Sequence, residues 1–244
     1  MNLKTLEAYL ETYEKPFQVM KKTWREEFPF KAKLINGHEV EITSKRDAYL
    51  FTTFRKLKVR NLSNKHIEFS YGGKDLVFTF EPNDYVSVGE IFGDGIYDVD
   101  VNLRTVVDVS SGIGDSTTFF LLHGASHAIA VDILVNRGKD NVERNVPEGK
   151  VTWINKRCDL NFNLDVLSFK YTIPNGSVLK VDCEGCEYDF LLHARSISRY
   201  KHIIVEYHDG KKPLVEYLRQ SGFSVHTTGG RRLGLIYAFR RDVK

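Results

Sequence analysis

Two groups of residues in this chain have types and spacings suited to chemistry, and a cysteine pair lies inside the second. The first group is the stretch RTVVDVSSGIGDSTTFFLLHGASHAIAVD, Arg104 to Asp132. A β-branched run ends on a carboxylate, Asp108, and Ser110, Gly112 and Gly114 follow. Glycines there let the backbone turn sharply and lie close to a ligand. Asp132 ends the next apolar run, about 20 positions after the glycines, where a carboxylate can accept hydrogen bonds from a ribose diol. Ile133 and Leu134 come next and could form an apolar floor beneath a purine. Asp159, in a polar loop further on, is a candidate acceptor for an adenine amino group. Its competing reading is a turn or cap residue, since Asp favours loops.

The second group is DCEGCEYDF followed by IIVEYH, which supplies Asp182, Glu184, Glu187, Glu206 and His208. Several carboxylates with a histidine suit general-base work or a divalent cation, and a network that merely fixes two turns is the structural alternative. Asp182, Glu184 and His208 are the candidate catalytic residues, and no residue is assigned as a metal ligand. Cys183-x-x-Cys186 lies inside this group. Without a second such pair it lacks the four ligands of a structural zinc site. Three cysteines in a chain of 244 residues do not read as a disulfide framework.

The elements that must position these groups alternate strand and helix from Arg104 onward. Strands are expected at Thr105 to Val109, Ala128 to Val131, Val151 to Ile154, Ser177 to Val181 and Ile203 to Tyr207, with helices between them. Ligands of open α/β sheets bind at the carboxyl ends of such strands. Asp108, Asp132, Asp182 and His208 all fall there. Two last strands, Phe223 to Thr227 and Leu233 to Phe239, are joined by Gly229-Gly230. A final antiparallel pair is the habit of class I methyltransferases; nicotinamide-binding domains usually end on parallel strands.

The stretches VVDVSSGIGDST, AIAVD, LKVDCEGCEYDFLL and IIVEYH resemble the FkbM family of S-adenosylmethionine-dependent methyltransferases over residues 104 to 208. The acidic segment is the specific part of the likeness. The resemblance implies a Rossmann-like fold, S-adenosyl-L-methionine as cofactor, and methylation of a hydroxyl on a sugar or other small molecule. Asp108, Ser110, Gly112, Gly114, Asp132, Ile133, Asp159 and Asp182 are then the cofactor-binding candidates. Asp108 would face the amino-acid end of the cofactor, with a structural turn acceptor as its other reading. The chain departs from the family at Ser110, where glycine is commonest, and at Cys183 and Cys186, which replace apolar or small residues. Methyl transfer asks mainly for in-line alignment of acceptor, methyl and sulfur. A hydroxyl acceptor also benefits from a base or a metal.

The first hundred residues read as a helical arm with small β-structure, set before a methyltransferase domain at 101–244. Leu3, Leu6, Leu10, Tyr13, Phe17, Met20 and Trp24 alternate three- and four-residue spacings across Pro16, which starts a second helix or kinks one. That stripe packs on the protein's own body or forms a homodimer contact or cleft cover. Asn36-Gly37 and Gly72-Gly73 mark two hairpins, the first expected as a type I′ turn. A short helix is expected over 47–56, and irregular chain over 86–100.

The expected fold is α/β: a mostly parallel sheet with an antiparallel C-terminal hairpin and an N-terminal extension. A net charge of +3 does not call for nucleic acid or membrane. No apolar run is long enough to span a bilayer and no signal peptide is apparent, so a cytoplasmic protein with a small-molecule or glycan acceptor is expected. Two other classes stay open, a NAD-dependent oxidoreductase and a non-catalytic interaction module. Against the first, Thr117 stands where the dinucleotide fingerprint requires Gly or Ala.

Overall fold

The computed structural model describes residues 3–63, 65–80 and 86–240. The chain forms two compact units, Met1–Ile96 and Tyr97–Lys244, against an expected division between residues 100 and 101.

In the first unit, α1 (Leu3–Thr12) stops before Pro16, which opens α2 (Pro16–Trp24) at its first turn. There the missing N–H of proline costs nothing. The heptad count through this break does not hold one face. Tyr9, Thr12, Tyr13 and Val19 are buried, whereas Leu10, Phe17 and Trp24 are 41%, 68% and 80% exposed; the Leu3 side chain lies outside the described residues. The stripe therefore splits: its seven-apart row Leu10, Phe17 and Trp24 lies outward on both sides of Pro16, while Tyr13 turns inward. Tyr13 is the anchor: it bridges to Leu34, and its hydroxyl donates to the Ala48 carbonyl at 2.7 Å.

The first hairpin pairs β1 (Phe30–Lys33) with β2 (Glu39–Ile42). Its turn is not the expected type I′. The Leu34 N–H donates to the His38 carbonyl, leaving a three-residue loop in which Gly37 has a φ of +91° and Asn36 does not adopt positive φ. α3 (Lys45–Leu50), capped by the Ser44 side chain, runs into a 3₁₀ turn at Phe51–Lys56. A three-stranded antiparallel sheet follows, from β3 (Lys58–Ser63), β4 (His66–Tyr71) and β5 (Lys74–Thr79). Gly72 and Gly73, both at positive φ, join the last two in a two-residue turn. β3 was not expected, because KVRNLS carries little apolar alternation and its register slips between Val59 and Asn61. Residues 86–94, expected to be irregular, are helical: α4 (Val86–Val88) continues into a π-helical turn, Gly89–Asp94. A Cβ on Gly89 would collide with the Thr53 side chain, so glycine permits that approach.

The second unit is a seven-stranded sheet with helices between its strands. In chain order it runs β6 (Thr105–Val109), α5 (Asp115–Leu122), β7 (His127–Asp132), α6 (Val135–Asn145), β8 (Val151–Asn155), α7 (Leu164–Lys170), β9 (Ser177–Val181), α8 (Glu187–Leu191), β10 (Tyr200–Tyr207), α9 (Lys212–Gln220), β11 (Ser224–Thr227) and β12 (Gly234–Phe239). The spatial order is β11-β12-β10-β9-β6-β7-β8. The chain moves outward from β6 to β8 and then returns to the other side with β9. The carboxyl ends of β6 and β9 are therefore adjacent at the switch point, the favoured ligand position in such sheets. β12 enters antiparallel between β10 and β11, as the final glycine-joined pair of the sequence requires. β9 is buried along its whole length and α5 on nearly every side, so apolar alternation is absent from both. Among the described residues no helix is long and apolar enough to cross a membrane.

Tyr13→Phe should lower the stability of the first unit by about 1–2 kcal/mol in urea titration, because it strands a buried carbonyl. Trp24→Ser should stay within about 0.5 kcal/mol in the monomer. An equal loss from both would show that the exposed row is packed after all.

Candidate functional site

The turn after β6 is built by side chains beneath it. Asp108 has no exposed surface. Its Oδ2 accepts the Ser116 and Thr117 hydroxyls at 2.7 and 2.6 Å, and its Oδ1 lies 3.1 Å from Lys180 Nζ. Lys180, likewise buried, donates to the carbonyls of Val109 and Ser110 at 3.3 and 2.7 Å. Asp108 and Lys180 are register partners across β6 and β9. Burial pulls the Lys180 ammonium down in pKa, but Asp108 and then Asp182 more than offset it, and its pKa is raised. Ser110 sits at φ +60°. Its N–H donates to Val131 and its carbonyl accepts from Lys180, so both sides of the strained peptide are held.

The upper face of the turn is open. A Cβ at Gly112 would meet nothing within 4 Å, so space remains in front of that backbone. Gly114 has a different duty: a Cβ there would lie 2.5 Å from the Gly138 carbonyl oxygen, so its glycine lets the turn seat on α6. Buried Asn141 donates to the Ile113 carbonyl at 2.9 Å. Asp132 accepts the Gly112 N–H on Oδ2 at 3.0 Å and the Leu134 N–H on Oδ1 at 2.7 Å. Each oxygen keeps acceptor capacity after one such bond. Ile133 and Leu134 are 59% and 50% exposed beside it. Asp159 is half-buried, and its Oδ1 accepts the Asn161 and Phe162 N–H groups, the turn role of that residue. Between the acids, burial and then the charges of Asp159 and Asp132 push the Cys158 thiol up to about 12, which keeps it protonated and unreactive.

The second group gathers at the ends of β9 and β10. Potential ligand atoms of Asp182, Glu206 and His208 lie within 4.8 Å of one another. The Tyr97 hydroxyl donates to Asp182 Oδ2 at 3.0 Å. Burial, then the charges of Asp182 and Glu206, raise the Tyr97 pKa well above that of a free phenol, so it remains a donor. Glu187, expected on the open rim, is fully buried and accepts from the His208 and Gly185 backbones. Glu184 is exposed at φ +55° on the turn and is not among the three gathered residues. Cys183 and Cys186 are joined by a disulfide across this turn, where sequence reasoning expected no disulfide framework.

The structure thus brings Asp182 and His208 together and leaves Glu184 beside them. It sets Ser110, Gly112, Gly114, Asp132 and Ile133 along one turn. Asp108 is corrected from facing a ligand to bracing the turn from below, because all its surface is enclosed. Lys180, Tyr97 and Asn141 were not anticipated. Lys180 had a legible signal, a lone charge in the apolar run SVLKV, whereas GIYDVD offers none for Tyr97.

No protein-family model and no curated protein matches the chain. Solved structures do. A candidate S-adenosylmethionine-dependent methyltransferase of Streptococcus mutans aligns over 93% of this chain and 65% of its own, at 8% identity and a TM-score of 0.51. An O-methyltransferase family protein of Burkholderia thailandensis aligns over 62% of this chain and 55% of its own, at 14% identity and 0.46. M. capricolum TrmK, in complex with S-adenosyl-homocysteine, aligns over 62% and 70%, at 14% and 0.46. The chain therefore spans about two thirds or less of the first two of these proteins. With the strand order above, the second unit has the class I methyltransferase fold.

Lys180→Met leaves Asp108 buried without its cation and should cost about 3–5 kcal/mol in chemical denaturation. A pKa raised in the folded state means that the pair's contribution is whole below the unfolded lysine value, about 10.5, and is lost as pH climbs through the folded one. Stability measured from pH 7 to 10 should therefore show no loss from this pair, with decline only above. A loss of the wild-type excess over Lys180→Met between pH 7 and 9 would contradict the pairing.

Proposed function

We propose that this chain is an S-adenosylmethionine-dependent methyltransferase acting on a hydroxyl of a sugar or other small molecule. The observation that carries the reading is the open turn at Gly112 with Asp132 pinned beside it, together with the Asp182, Glu206 and His208 cluster at the ends of the neighbouring strands β9 and β10. The donor set fits the cofactor. Asp132 retains acceptor capacity for a ribose diol, Ile133 and Leu134 offer apolar area for adenine, and the Gly112 backbone leaves room for close approach. When bound, S-adenosylmethionine supplies a methyl group already activated on sulfonium, so the chain's task is binding, alignment and proton handling. Asp132 fixes the nucleoside end. His208, with Asp182 and Glu206 beside it, takes the acceptor proton, directly or through a divalent cation held by the same three residues. An acidic rim disfavours phosphate-bearing acceptors and nucleic acid and suits a neutral polyol.

The segment DCEGCEY and the tied ends of β9 and β10 support the FkbM-like reading within this class. A nicotinamide enzyme is less well supported, since β12 is antiparallel and Thr117 spends its hydroxyl on Asp108. The exposed row Leu10, Phe17 and Trp24 supports a homodimer through the N-terminal helices, testable as a fall in light-scattering mass on Trp24→Ser.

The deciding experiment is thermal shift with S-adenosylmethionine, S-adenosylhomocysteine and NAD. A native-state ligand at 100 times its Kd adds about 2.7 kcal/mol. Stabilisation by the first two and not by NAD is expected; a shift with NAD alone would reverse the assignment. Asp132→Ala should weaken S-adenosylhomocysteine by about 1.5–3 kcal/mol in calorimetry. His208→Gln should lower kcat by about 10²–10⁴-fold with cofactor affinity unchanged. Loss of activity on chelation, restored by a divalent cation, selects the cation version.

A further inference from the structure

We infer that Glu187 is a positioning residue that fixes the tautomer of His208, holding the proton on Nδ1 so that Nε2 presents the lone pair. The inference rests on the methyl-transfer reading only for its catalytic consequence. Its geometric content stands on the turn itself.

Glu187 opens α8 and has no exposed surface. Its Oε1 accepts the His208 backbone N–H at 2.9 Å and lies 3.2 Å from His208 Nδ1. Its Oε2 accepts the Gly185 N–H at 2.8 Å. Two backbone N–H groups cannot reverse their polarity, so both oxygens of this side chain must accept. A carboxylate does that; an amide cannot do so on both sides. Against such a group Nδ1 can only donate. The hydrogen bond made by one ring nitrogen decides what the other presents, so Nε2 is left as acceptor. The His208 side chain is 20% exposed while its partner is enclosed.

The surrounding turn enforces the arrangement. The Cys183–Cys186 disulfide closes a loop that contains Glu184 and Gly185, both at positive φ. That conformation aims the Gly185 N–H at Glu187. The Tyr188 hydroxyl, donating to the Gly210 carbonyl at 2.8 Å and accepting the Asp209 N–H at 3.1 Å, ties the chain beyond His208 to α8. The strand end that carries the base is thus latched to the turn that carries Glu187 at His208 and again just beyond it. A neutral ring with Nδ1–H can take an acceptor proton on Nε2 without first turning over. The imidazolium so formed gains a buried carboxylate at its other nitrogen.

The test is the ¹⁵N–¹H spectrum of histidine-labelled protein, with the His208 signals identified by their loss in His208→Gln. In its neutral form, wild-type His208 should carry its proton on Nδ1. Glu187→Ala should abolish that preference and lower kcat by about 10²–10⁴-fold, the range of a positioned base, with S-adenosylhomocysteine affinity unchanged. A wild-type ring protonated at Nε2, or a Glu187→Ala spectrum that keeps Nδ1–H, overturns the inference. If Glu187→Ala does not fold, the wild-type spectrum decides alone. The spectrum needs no acceptor, so absence of methyl transfer with an Nδ1–H ring would count against the proposed reaction and not against this role of Glu187.

Discussion

The second unit depends on one buried ion pair. Asp108 and Lys180 meet as register partners at the centre of the sheet, where taking two charges out of water costs several kcal/mol per ion. The cost is offset by the partners that each charge gathers. The carboxylate collects two hydroxyls from the first turn of α5, and the ammonium collects two carbonyls from the glycine turn. Four pieces of chain that must meet at the switch point are therefore joined through two side chains: the ends of β6 and β9, the turn, and the start of α5. Apolar residues could fill the same volume, but they could not choose which carbonyls lie over them.

That choice bears on Ser110. A residue with a Cβ in the left-handed region carries roughly 1–2 kcal/mol of strain. Here the peptide is clasped by Val131 from one neighbouring strand and by Lys180 from the other. A glycine at this place would need no such clasp. The serine and the enclosed lysine thus belong to one solution, in which the shape of the turn is imposed from beneath and its upper face is left clear. Asp132 extends that logic upward: it holds the Gly112 N–H while keeping acceptor capacity, so the group expected to bind a ribose also keeps the turn in place.

The fold was legible where a local rule dominates. Gly72-Gly73 forms the two-residue turn its sequence announces, Pro16 begins a helix, and the final glycine-joined strands insert antiparallel. Reading failed where long-range packing overrides local pattern. The three-four stripe from Leu3 to Trp24 looked continuous, yet Tyr13 is buried while Leu10, Phe17 and Trp24 stay exposed. Asn36-Gly37 belongs to a three-residue loop that also takes in Ile35, whose N–H is drawn away to the Thr12 carbonyl. In the site, the carboxyl ends of strands could be located from the sequence, but not the orientation of each carboxylate. Asp108 and Asp132 each close an apolar run and look alike as text. One lies wholly enclosed and the other on an open turn, because β6 is central in the sheet and Asp132 precedes a loop.

Glu187 and Lys180 show the same device used twice. Each is a charged side chain without solvent contact, and each gathers main-chain groups from a neighbouring segment. Lys180 collects the carbonyls of Val109 and Ser110 and so shapes the turn from beneath. Glu187 collects N–H groups and so shapes the turn that bears Glu184 and the strand end that bears His208. The fixed charges are placed out of reach of solvent, whereas Asp132, Asp182, Glu206 and His208 stay half-buried at the strand ends. Fixing the scaffold with enclosed charges leaves the reactive rim to be tuned by small changes, which is how one sheet topology accommodates different acceptors.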